Sequence, residues 1–253
     1  MNHRAPTSLR ILIATGLLAM AAAAESQVAP GAAPDLSGTY TGRRCVASSD
    51  VCPEMNLAGA ERILTARAKA FAAAFDELAA PKYDCWPATL PTLFGDPYIW
   101  QIEQQADRVT LRYEKDDVVR TVWLEGHGHP MPAAGDFFVH GHSTGRYEGQ
   151  QLVVETAHFV FDPGGLAGDL LSAPSSTQKR LIERYWRDGS NLRMSLVVED
   201  PIFLLDPIEY TMEWGPSSEP LPSDWDCDPA AAQRNLRVVP SKYPEDPPVN
   251  RRN

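Results

Sequence analysis

The chain has 253 residues, with 33 acidic against 23 basic side chains and a formal net charge of −10. Nucleic acids and anionic membrane surfaces reward a basic face, so neither is expected as a partner. Small molecules, cationic groups and sugars fit better, and the length supports one large β domain or two small ones, with a sizeable core.

Arg4 and Arg10 give a positive start, Ile11 to Ala24 is an uncharged apolar run, and Ala22-Ala23-Ala24 precedes Glu25. This pattern predicts a cleavable export signal over residues 1–24, with a run short of the roughly 20 residues a spanning helix needs. After cleavage no integral membrane segment is expected, and the protein is expected in the periplasm or secreted. Residues 25–36, rich in Ala and Pro, read as a disordered linker.

The globular part is expected over residues 37–215, opening on the strand-like Leu36-Ser37-Gly38-Thr39-Tyr40. Residues 56–80 are rich in helix formers, with Ile63, Leu64, Ala68, Phe71 and Phe75 at helical spacing and Pro81 as a stop. They predict one helix. From Tyr98 the period becomes two. Val109, Leu111 and Tyr113 alternate with Arg108, Thr110, Arg112 and Glu114. Strands are likewise predicted at 117–124, 152–155, 179–187, 191–199 and 208–214. Glu148-Gly149-Gln150 and Arg187-Asp188-Gly189-Ser190 read as hairpin turns. The predicted fold is therefore mainly β. It is an antiparallel meander closed or partly closed into a barrel, lipocalin-like in shape, with one helix near the N-terminus. Residues 216–253 form an irregular, proline-rich tail.

Four cysteines lie beyond the leader: Cys45, Cys52, Cys85 and Cys227. An even count in an exported chain predicts two bridges. Of the three pairings, Cys45–Cys52 as a local loop and Cys85–Cys227 as the anchor of the tail are favoured. A zinc site would need paired C-x-x-C spacing, which these cysteines lack.

Apart from His3, every histidine lies between His127 and His158, and four form the pairs His127/His129 and His140/His142. In extended chain, residues two apart share a face, so each pair could present two imidazoles. Imidazole suits zinc, copper or iron, which makes His127, His129, His140 and His142 the candidate metal ligands. The alternative is a set of loop histidines around Gly- and Pro-rich turns.

The segment Glu125-Gly126-His127-Gly128-His129-Pro130, followed by Gly141-His142-Ser143-Thr144-Gly145-Arg146-Tyr147-Glu148-Gly149-Gln150-Gln151-Leu152-Val153-Val154-Glu155-Thr156, resembles a family of secreted bacterial proteins without an assigned function. That family's motif runs D-G-R-x-H-P, then G-H-S-x-G-R-W-E-G-D-T-L-V-V-D-T. Asp35-Leu36-Ser37-Gly38, the Cys85-x-Pro87 region, Glu183-Arg184-Tyr185 and Glu199-Asp200-Pro201 are similar too, so the resemblance covers most of the chain beyond the leader. His129 and His142 match the motif, whereas His127 stands in place of Arg and Tyr147 in place of Trp.

Two chemical readings follow from these residues. His142 with Glu148 or Glu155 could do acid–base catalysis, with Arg146 holding an anionic or carbonyl oxygen. Alternatively, Arg146 and the carboxylates form a network that fixes a corner of the barrel. Ser143 matches the letters of a G-x-S-x-G nucleophile but lacks the strand–turn–helix context, and His142 points to the opposite face. Glu183 and Arg184 could join His129 and Arg146 in holding a ligand if their polar row lines the barrel. Trp86, Trp100, Trp123, Trp186 and Trp214 are expected mainly in the core, with a ring-stacking surface as the alternative. The function expected first is binding of a small molecule inside or at the mouth of the barrel. An acid–base or metal-assisted isomerase, lyase or hydrolase centred on His142, Arg146 and Glu148 is the second reading. A structural envelope domain is the third.

Overall fold

The computed structural model describes residues 33–45, 62–76, 80–95, 97–166, 173–222 and 226–232. Alternating apolar and polar residues give nine strands: β1 (Gly38–Cys45), β2 (Trp100–Gln104), β3 (Arg108–Tyr113), β4 (Val119–Leu124), β5 (His142–Glu148), β6 (Gln151–Ala157), β7 (Arg180–Asp188), β8 (Asn191–Glu199) and β9 (Ile208–Pro216). They close in chain order into a barrel, with β1 pairing with both β2 and β9. Strand parity decides what faces inward. In β8, Leu192, Met194, Leu196 and Val198 are buried, while Arg193 lies on the other face and pairs with Glu213. Each fully buried aliphatic side chain of this kind contributes roughly 1.5–3 kcal/mol.

The meander holds except at one step. A closed ring of nine strands cannot alternate direction all the way round, so at least one neighbouring pair must be parallel. That pair is β4 with β5, in the register Val122↔Ser143, Trp123↔Thr144 and Leu124↔Gly145. A parallel neighbour forces the chain to travel back along the barrel before re-entering the sheet, which takes a dozen residues or more. Residues 125–141 make that return, so the histidine-rich segment is a crossover laid against the sheet.

The helix is shorter than the sequence pattern suggests. Within the described residues, α1 spans Ala66–Ala74. Leu64 instead forms a β-bridge with Leu204, and Thr65 caps the helix by accepting a hydrogen bond from the Ala68 N–H. Phe75 is already extended. Tertiary pairing of Leu64 thus outweighs helix propensity at the N-terminal end.

Residues 80–95 and 97–99 lie against the barrel, with Leu90, Leu93 and Phe94 buried. Three consecutive residues tie this segment down. Asp116 accepts from the Ala88 N–H, Thr89 donates to Asp162, and the Lys179 ammonium donates to the Leu90 carbonyl at 2.6 Å. Cys85 forms a disulfide with Cys227, the pairing favoured from the sequence. Cys52 lies outside the described residues, and with it the predicted Cys45–Cys52 bridge. Among the described residues, no helix is long and apolar enough to cross a membrane.

Candidate functional site

Where β3 turns into β4, the end of the barrel holds an aromatic cleft. Its walls are Leu93 and Phe94 from the covering segment, Tyr98, Ile99 and Trp100 leading into β2, and Tyr113, Lys115 and Trp214. The Trp100 and Tyr113 rings stack in parallel at 5.5 Å and 3°, and Trp214 meets Trp100 edge-on at 5.1 Å. The water-accessible space of the whole cleft is about 10 Å³, room for one water-sized group. Trp100 Nε1 is buried without a hydrogen-bond partner, whereas Tyr113 Oη lies against the Arg120 guanidinium and the Tyr185 hydroxyl. The Lys115 ammonium lies 5.7 Å from the centroid of the Tyr98 ring.

Beneath the cleft, the barrel interior contains a charged network. The Arg120 guanidinium grips both Glu183 oxygens, at 2.6 and 2.8 Å, and also donates to Ser143 Oγ and Thr156 Oγ1. Tyr185 donates to Glu183 at 2.5 Å. Burial works against the Arg120 charge, but the Glu183 carboxylate outweighs it and raises the guanidinium pKa above its ordinary value. Burial pushes the Tyr113 phenol up as well, against the opposing Arg120 charge.

A second buried cation lies nearby. Lys179 is fully enclosed, donates to Leu90 O, Gly165 O and Ser175 Oγ, and sits 4.4 Å from the centroid of the Phe159 ring. Burial lowers its pKa to about 8, with Asp162 and Asp200 partly offsetting the effect.

The residues singled out by motif separate by strand parity. Along β5, Ser143 points inward to Arg120, whereas His142, Arg146 and Glu148 lie on the outer face. Ser143 is therefore a buried partner of Arg120 and Thr156, turned away from His142. Outside, Arg146 pairs with Glu148 at 2.7 Å and Glu155 at 2.9 Å, and approaches Glu125. Arg184 pairs with Glu148, and Arg180 with Glu155. Hydrogen bonds from Arg184 and then Arg146 hold the Glu148 pKa below its usual range. His142 stands six residues along β5 from Glu148, about 20 Å at 3.3 Å per residue, so these two do not meet. Glu183 and Arg184 likewise part: Glu183 is inside and Arg184 outside.

The histidines divide too. His129 stacks on Trp123 at 5.9 Å and lies 5.2 Å from His142, while the Arg108 guanidinium sits 5.3 Å from Trp123. His142 Nε2 is enclosed without a partner, and burial, then His129 and His158, lowers its pKa. His140 turns away to the Ala88 carbonyl, and burial drives its pKa to about 4. His127 is exposed on the crossover. Among the described residues, no three His, Cys, Asp or Glu side chains gather as a metal site would require. His158 adopts a left-handed backbone at φ 61°, with Nδ1 3.1 Å from the Asp136 carbonyl, which pins the crossover.

Sequence reasoning missed Arg120 and Lys179, and did not connect Trp100 with Tyr113. A signal for the first was present. Arg120 precedes Val122 and Leu124 on the inward parity of β4, and Glu183 falls between Leu181 and Tyr185 on that of β7. A charge on an apolar parity marks a buried partner. Of the tryptophans, Trp100 and Trp214 are core, Trp86 is exposed, and Trp123 carries the outer histidine stack. Comparison with protein families and with curated proteins found no match.

Proposed function

We propose that this chain is an exported small-molecule-binding barrel whose ligand enters the aromatic cleft between the segment at Leu93–Phe94 and the barrel end at Trp100, Tyr113 and Trp214. The observation that carries this reading is a buried, unpartnered polar atom, Trp100 Nε1, on a residue of an aromatic-lined opening. Buried polar groups are nearly always satisfied, and binding sites combine apolar walls with a few placed polar atoms. The disulfide and the leader-like residues 1–24 support an oxidising compartment. The likeness to the secreted bacterial family agrees with that address.

The test is a thermal-shift screen of small aromatic compounds on the oxidised chain, followed by native mass spectrometry for a molecule retained through purification. A compound that raises Tm should lose its effect in Tyr98→Ala, at the rim of the cleft, while the unliganded Tm stays unchanged. Binding that ignores Tyr98 and Lys115 substitutions would move the site elsewhere. Absence of both binding and a retained molecule would sink the reading.

A second reading rests on His142, whose lowered pKa keeps the ring neutral at pH 7 and whose Nε2 has no partner. A neutral imidazole beside His129 could exchange a proton with a bound group. If it does, a ligand bound by the chain is turned over, and His142→Ala abolishes turnover without lowering Tm.

A further inference from the structure

We infer that His129 and His142 together hold one exchangeable zinc ion on the outside of the barrel, where the crossover lies against the start of β5. This goes beyond the cleft reading and is independent of it.

The spacing of the rings suits a shared ion. A zinc–nitrogen bond of about 2.0–2.1 Å puts each imidazole centroid about 3.2 Å from the metal, so two rings at the tetrahedral angle stand about 5.2 Å apart. The His129 and His142 centroids are 5.2 Å apart, with the rings tilted by 38°. Packed rings reach the same distance without a metal. The nitrogens separate the two cases. A carbonyl only accepts, so the Pro130 oxygen, 3.2 Å from His129 Nδ1, takes that proton and leaves the lone pair on Nε2. Such a bond to the far nitrogen is what orients a metal-binding histidine. His142 Nε2 is enclosed with no partner, where a packed imidazole would have found one.

The surroundings hold the first ring in place and tolerate the charge. Trp123 stacks on His129 at 5.9 Å and 16°. The nearest guanidinium on that side, Arg108, is engaged with Asp107 at 3.1 Å, and the chain's net charge of −10 favours a cation. No third His, Cys, Asp or Glu side chain joins the pair among the described residues, so this is not a closed structural site. Two of four positions are left to water or a passing ligand, and the ion exchanges. An ion on Nε2 also occupies the lone pair that acid–base work by His142 would need.

The test uses the full oxidised chain without an affinity tag, titrated with zinc chloride in a calorimeter and with cobalt(II), which absorbs strongly in the visible when four-coordinate. One ion per chain is expected, with a four-coordinate cobalt spectrum. His129→Gln and His142→Gln should each weaken zinc at least about tenfold, while His127→Gln, exposed on the crossover, leaves it unchanged. If His142→Gln fails to fold, His129→Gln carries the comparison, since its ring lies half-exposed. Zinc uptake indifferent to both replacements, or lost equally with His127→Gln, would overturn the site. So would absence of any uptake, which leaves two packed rings, and none of these results touches the aromatic cleft.

Discussion

Arg120 and Glu183 close on one another inside the barrel as a two-pronged pair, at 2.6 and 2.8 Å, from strands β4 and β7. Four further groups surround them: Ser143, Thr156 and Tyr185 as hydrogen-bond partners and Tyr113 as a neighbour. Desolvating two charges is costly, and the pairing repays it only when both remain. Glu183→Leu should therefore destabilise the chain by about 3–5 kcal/mol, because it strands a buried guanidinium. The double variant Arg120→Leu with Glu183→Leu should recover most of that loss in urea unfolding. A double variant as unstable as the sum of the singles would show that the pair itself is not the unit.

Lys179 predicts a rise of stability with alkaline pH. Its folded-state pKa, about 8, lies below the ordinary 10.5, so between those values the unfolded chain binds more protons. Stability climbs with pH wherever that holds. The climb from neutral pH to pH 10 is worth about 2–3 kcal/mol at 1.36 kcal/mol per pKa unit. Tyr113 and Tyr185 have the opposite sign. Burial raises both above the ordinary 10.0, so their contribution is full below that value and lost above it. Urea midpoints should peak near pH 10, and Lys179→Met should remove the climb while leaving the fall. A wild-type profile flat from neutral pH to pH 10 would contradict this.

The barrel was legible because its evidence is local: inward Leu, Val and Tyr recur at every second residue, and Gly149 and Gly189 mark hairpins between strands. The parallel step from β4 to β5 was not, since nothing within 125–141 states which neighbour the chain will find. Parity of the whole ring decides it. The same non-local placement undid the histidine cluster. His127, His129 and His140 are close in sequence, but the crossover turns one to solvent, stacks one on Trp123 and hands one to Ala88. The Arg146, Glu148 and Glu155 group was readable as a network on one face because spacing of two fixes a face. The distance of Glu148 from His142 is set by extended β5, at whose opposite ends the two residues stand. Helix length failed for a related reason, as Leu64 pairs with Leu204, far along the chain.

The glycines of the G-H-S-T-G segment are there for packing. Gly141 has φ +69°, and a Cβ added there would meet the Ala157 carbonyl oxygen at 2.7 Å, where β5 begins beside β6. Gly149, in the hairpin after β5, has φ +60° with open space around it. Both substitutions to Ala pay for a left-handed backbone, roughly 1 kcal/mol. Only Gly141→Ala adds a clash with backbone, so it should cost at least about 2 kcal/mol more. Chemical denaturation of the two variants side by side measures the difference. Equal losses would mean that β5 can shift away from Ala157 without penalty.

The Cys85–Cys227 bridge joins the segment covering the barrel end to a tail that follows β9, across a sequence separation of 142 residues. Bridges over long loops act largely by limiting the unfolded chain, with a typical contribution of about 2–4 kcal/mol. Cys227→Ser should therefore lower stability by about that amount and expose the segment around Asp228 to proteolysis. Cys85→Ser should match it, and the double variant should be no worse than either single one, since a bridge is lost once. Reduction of the wild-type chain should reproduce the same loss. If the two single losses instead add in the double variant, each cysteine acts through its own packing, and the tail is held by contacts other than the bridge.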